Sequence, residues 1–171
     1  KDVSEFDTLD ELKNSIKEKL EEQNASKAKY ETEEAAIKAV SEATEIDIPS
    51  GMIETETDNM IKDIEQRLSY QGLKLDQYLQ IMNKSEEDMR KELEEQAKIS
   101  VKTKLVIEAI VAAEKIEATE EEVNAKLEEM ATMYGSTVEE LSKNESLKLY
   151  IEETVKSEKA VAFIVENAKI K

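Results

Sequence analysis

The chain of 171 residues contains no cysteine and no histidine. The first absence removes disulfides, thiol nucleophiles and zinc–thiolate sites. The second removes the commonest general base and the commonest transition-metal ligand. Glycine occurs three times and proline once, so the chain has few places to turn and long helices are expected. Aromatic residues make up only 4% of it, and many of its apolar residues are alanine, so the core is thin for the length. Strand signals are nearly missing: Ile46-Asp47-Ile48 is the one clear alternation, and it is short. No apolar run approaches the roughly 18 residues of a membrane span, and no signal peptide is seen. A soluble, cytoplasmic protein with no membrane partner is the expectation, and the start at Lys1 reads as that of an excised fragment.

What the chain has in abundance is charge. Its 41 acidic and 24 basic residues leave a net charge of −17. A phosphate backbone would be repelled and no basic stripe is evident, so nucleic acid is not an expected partner. The same charge favours solubility and attraction to basic polypeptides. HExxH, CxxC, a phosphate-binding glycine loop and a serine elbow are all missing. No catalytic residue, cofactor or metal is expected. Carboxylate clusters such as Glu120-Glu121-Glu122 fall in the first turn of a helix, where acid suits the macrodipole. They read as helix-end chemistry rather than a catalytic dyad or a calcium loop.

Three capping boxes set the helix starts. Thr8-Leu9-Asp10-Glu11 opens a helix that meets no breaker before Pro49; Leu9, Leu12, Ile16 and Leu20 follow at helical spacing. Its middle, 21–34, is almost wholly polar, so either two packed ends with a solvated middle or a helix that frays there is expected. A second helix over 50–70 is stopped by Gly72, and a short amphipathic piece spans 73–83. Ser85-Glu86-Glu87-Asp88 then opens a helix over 86–115, about 45 Å long. Its first half is charged on nearly every face, with Met89, Leu93 and Ala97 as a thin stripe. Its second half, 99–113, is apolar over most of its circumference and is expected to be buried. Thr119-Glu120-Glu121-Glu122 starts a further helix that Gly135 ends. One or two turns over 137–142 and a last helix over 145–167 complete the chain. Two units therefore share one pattern of long, short and long helix. The fold class is all-α: an elongated multi-helix domain with two helical arms on a shared base. Residues 1–48 form a lead and a back helix, 49–116 the first arm and 117–171 the second.

Methionine and tyrosine at helical spacing most often fill core gaps. Flexible, polarisable side chains also suit a surface that accepts many apolar partners. Met133 lies beside the face shared by Met130 and Tyr134 and widens it. Tyr78, Leu79, Ile81 and Met82 point several ways on a helix too short to bury them all. Tyr78 and Met82 are therefore candidate contacts, as are Met89 and Leu93, the few apolar residues of the charged half-helix.

The order of elements and several strings resemble the C-terminal domain of bacterial trigger factor, the ribosome-associated chaperone. The strings are Phe6-Asp7-Thr8-Leu9-Asp10-Glu11-Leu12, Ile48-Pro49-Ser50-Gly51-Met52-Ile53, Glu94-Glu95-Gln96-Ala97-Lys98 and Leu127-Glu128-Glu129-Met130-Ala131-Thr132-Met133-Tyr134. The resemblance covers essentially the whole chain. It implies an all-helical body whose arms form a cradle for unfolded or nascent polypeptides. The Met-Ala-x-x-Tyr string maps the family's client contacts onto Met130 and Tyr134, with Met133, Val138 and Leu141 as neighbours. The family's ribosome-docking and prolyl isomerase domains are not in this chain, so ribosome binding and isomerase activity are not expected of it. The family's helical domain also draws on a segment from before the isomerase domain. The apolar patch that segment would cover is expected to be exposed or paired in a homodimer.

Two readings from different classes follow. One is an ATP-independent holdase that binds unfolded chains through dispersed apolar patches. The other is a helical scaffold or dimerisation module with one fixed protein partner. An enzyme is the weakest reading, for want of any catalytic motif.

Overall fold

The computed structural model describes residue 6 and residues 8–169, with seven helices and no strand among them. The helices are α1 (Leu9–Ala43), α2 (Ser50–Tyr70), α3 (Leu75–Met82), α4 (Glu86–Ala113), α5 (Glu120–Tyr134), α6 (Val138–Ser142) and α7 (Glu145–Asn167). The expected all-α fold with paired long–short–long units is what the chain adopts. Ile46-Asp47-Ile48 forms no strand and is part of the connector to α2. Of the expected lead, Phe6 is exposed; Val3 lies outside the described residues.

The three capping boxes form. The Thr8, Ser85 and Thr119 hydroxyls accept the backbone N–H of Glu11, Asp88 and Glu122 at 3.2, 3.1 and 3.2 Å. Each acid accepts the N–H of its cap in return. Each box satisfies two N–H groups that a helix start otherwise leaves unpaired. Four helices close on a residue of positive φ: Gly72, Asn83, Lys115 and Gly135. In each case the next residue's N–H returns to a carbonyl five positions back, at 2.9–3.0 Å, which satisfies an orphan carbonyl of the last turn.

Packing produces two separate small cores. In the first hairpin α2 lies against α4, with α3 across one end. Ile61, Leu79 and Met89 are buried there, and Ile64, Leu75, Tyr78 and Leu93 pack on them. In the second, α5 and α7 enclose Val123, Leu127, Ile151 and Val155. Lys126 pairs with Glu158 at 2.8 Å and Lys159 with Glu122 at 3.0 Å across these two helices, which fixes them as antiparallel. The hairpins meet where α4 touches α7 and α1 touches both. The buried residues that α1 and α7 bring near this junction are Ser41, Ala160 and Ile164. The Ser41 and Thr103 hydroxyls stand 3.5 Å apart, so the helices approach on small side chains.

Two expectations about burial are corrected. The N-terminal end of α1 does not pack: Leu9, Ile16 and Leu20 are exposed, and so is every residue from 16 to 31. Capping and helical spacing fix a helix, but burial needs a second surface, and α1 reaches α4 and α7 only with its later turns. The apolar half of α4 is also buried on one side only. Val101 and Val106 are buried, whereas Ile99 is exposed and Leu105, Ile107, Ile110 and Val111 are half-buried. In so thin a molecule one neighbouring layer covers a stripe, not a circumference.

Candidate functional site

The connections place α3 and α6 at the free ends of the two hairpins. The first tip gathers the end of α2, all of α3 and the start of α4; the second gathers the end of α5, α6 and the start of α7. A tip has fewer neighbours than a mid-hairpin turn, so apolar side chains beyond the inward stripe stay in water there. At the second tip Met133 is 76% and Tyr134 70% exposed. Leu149 and Tyr150, on the antiparallel helix opposite, are exposed as well. At the first tip Tyr70, Ile81 and Met82 are exposed.

The expected contacts divide between surface and core. Met133, Tyr134 and Met82 lie on the surface. Met130, Val138 and Leu141 are half-buried and pack against the second core, and Tyr78 and Leu93 do the same on the first. Met89 is a correction: at 6% exposure it belongs to the first core and is not offered to a partner. It is the N-terminal residue of the thin stripe on α4, and α2 and α3 close over that stripe. Met130 and Tyr134 do not share one accessible face. Met130 turns in beside Leu127, and Tyr134, in the last turn, turns out. Leu149 was not among the candidates. Its available signal is that Leu149 and Tyr150 stand off the Leu147, Ile151 and Val155 stripe of α7.

The electrostatics are simple: of the perturbed carboxyls Asp88 lies at the first tip, whereas Glu122 lies at the base of the second hairpin and Glu152 partway along α7. The Ser85 hydroxyl holds the Asp88 carboxyl below its ordinary range, and the Thr119 backbone N–H, with Lys159, does so for Glu122. Lys156 lowers Glu152 on α7. These groups are helix caps and ion pairs in water, not a proton-transfer pair. Lys84 is raised by its contact with Glu92. Two shallow hollows are present, one along α2 beside Asp63, Arg67 and Tyr70, the other between α1 and α7 beside Thr32 and Val165. Both are open to solvent, and neither encloses a ligand. Among the described residues no group of three or more acidic or other metal-binding side chains is arranged to hold an ion. No helix among them is long and apolar enough to cross a membrane. What the arrangement offers chemically is apolar contact at separated points on an acidic surface.

Comparison with known proteins places this geometry. The chain is 45% identical to trigger factor of Clostridium tetani and 45% identical to that of Clostridioides difficile, in each case over 99% of its own length and 40% of the relative's. It therefore spans about two-fifths of these relatives. A solved structure of trigger factor domains from Thermotoga maritima superposes with a TM-score of 0.63 at 24% identity, over 96% of this chain and 98% of that one. A second, described as showing promiscuous substrate recognition by the trigger factor chaperone, has a TM-score of 0.61 over 97% of this chain and 40% of that one. The family model for the bacterial trigger factor C-terminus matches residues 8–166, and the chain belongs to that family.

Proposed function

We propose that this chain is an ATP-independent holdase module that retains unfolded polypeptides on dispersed apolar patches. The observation that carries this reading is the exposure of Met133 and Tyr134 at one hairpin tip and of Ile81 and Met82 at the other. Fully burying a side chain of this size is worth about 1.5–3 kcal/mol, so one residue holds a client weakly. A flexible client that reaches two tips meets the second at an effective concentration on the order of millimolar, and avidity exceeds either contact by about 10²–10⁴. Methionine and tyrosine supply contact area without a shaped pocket, which suits clients of varied sequence. The net charge of −17 keeps a loaded complex soluble and favours clients that carry basic residues. Membership of the trigger factor family, one solved member of which is described as a chaperone, supports the same reading.

The test is light scattering from a denatured client diluted into buffer. The folded chain suppresses aggregation near one-to-one stoichiometry and does so for several unrelated clients. Met133→Ser with Tyr134→Ser weakens suppression about tenfold or more, given that each 1.4 kcal/mol is tenfold, and leaves helicity unchanged because both side chains are exposed. No suppression at several-fold excess of folded chain, or activity toward a single folded partner only, overturns the reading.

A further inference from the structure

The exposed portion of α1 has its charges sorted around its circumference. Counted at about 100° per residue, Leu9, Leu12, Ile16 and Leu20 fall within roughly 80° of one another. Lys13 and Lys17 border this stripe on one side and Lys19 on the other. Asp10, Glu11, Glu18, Glu21 and Glu22 all occupy the opposite arc. Leu9, Ile16 and Leu20 are 65%, 49% and 52% exposed, so among the described residues the stripe is largely uncovered. Lys13 and Lys17 reach only the edge of their own helix's acids, with N–O distances of 3.9 and 3.8 Å at highly exposed positions. Such pairs are worth little and exchange readily.

We propose that this face of α1 docks an acidic amphipathic polypeptide segment. The segment's apolar residues lie along Leu9, Leu12, Ile16 and Leu20, and its carboxylates meet Lys13, Lys17 and Lys19. The two faces of the helix are about 10–12 Å apart. At physiological salt the screening length is about 8 Å, so a bound segment feels the lysine rim more than the acids behind it. An anionic membrane is a poorer occupant, because an extended plane meets the whole chain, whose charge is −17. A second copy of the same face is poorer too, since both rims are lysine and self-pairing sets like charges together. The stripe spans three turns, about 17 Å, and fits a segment of some 12 residues in helical form. This surface is separate from the hairpin tips, whose setting is acidic, and the proposal stands independently of the holdase reading.

The test is fluorescence anisotropy with two labelled 12-residue amphipathic peptides. Both carry the same leucine stripe; one has glutamate at its polar positions and the other lysine. The glutamate peptide binds the folded chain, and about tenfold more weakly to Ile16→Ser/Leu20→Ser. Lys13→Glu/Lys17→Glu/Lys19→Glu loses the glutamate peptide and gains the lysine peptide at α1. Met133→Ser/Tyr134→Ser leaves the glutamate peptide unchanged, which separates this surface from the tips. All these side chains except the half-buried Leu12, which is left in place, are exposed, and circular dichroism checks that helicity is kept. Equal binding of the glutamate peptide by the stripe variants overturns the proposal. So does its loss in the tip variant, binding of phosphatidylglycerol vesicles through the same lysines, or self-association that the stripe variants abolish in place of peptide binding.

Discussion

Lys115 holds a left-handed conformation, φ 53°, at the end of α4. The Ile116 N–H returns to the Val111 carbonyl at 2.9 Å, the arrangement in which glycine is usual. A side chain there costs about 1–2 kcal/mol, so Lys115→Gly is expected to stabilise the chain by about 1 kcal/mol. For a chain of this size a thermal melt should rise by roughly 2–4 °C; an unchanged or lower midpoint would show the strain to be relieved elsewhere. Leu127 and Ile151 are the large side chains buried most completely, and either changed to Ala should cost about 2–5 kcal/mol in denaturant unfolding. How much could be read in advance at this scale depended on chemistry that names itself. Gly72 and Gly135 stop helices visibly, while Lys115 carries no mark of its conformation. Met133 and Tyr134 could be singled out by their spacing, but Met89 has the same residue type and a buried place, because burial is decided by the helix opposite.

Helix starts were legible because a capping box is a local, reciprocal bond. Ser85→Ala should cost about 1 kcal/mol. Its signature is a pH dependence. Asp88 and Glu122 sit lower in the folded chain than in the unfolded one, so their contribution is full above the unfolded carboxylate range, near pH 4. It is lost as pH falls through the lower, folded values. Falling pH also relieves the self-repulsion of a chain with pI about 4.5, so the comparison must be between variant and parent. Between about pH 6 and 3 the gap in melting temperature between Ser85→Ala and the parent should narrow; a constant gap would remove Asp88 from the account. The burial of whole elements was not legible. The first turns of α1 carry Leu9, Leu12, Ile16 and Leu20 at core-like spacing, and yet they face water, because spacing records an apolar face and not what lies against it. The arc of lysines beside that face was equally available in the sequence and went unseen under a net charge of −17.

At the scale of the whole molecule, the described residues form two cores that share no buried cluster, and the hairpins meet where α4 touches α7 and α1 touches both. Met89→Ala should therefore lower amide protection across α2–α4 and leave α5–α7 within about 0.5 kcal/mol of the parent, as distant sites do. Equal loss in both hairpins by hydrogen exchange would mean one cooperative unit. The architecture also bears on time. Each core is closed by helices joined through a short connection, and no strand pairing is needed. Domains rich in local contacts fold in microseconds to milliseconds, whereas those dominated by distant pairings take far longer. A module of this design would finish its own folding well before a slower-folding polypeptide beside it had hidden its apolar segments.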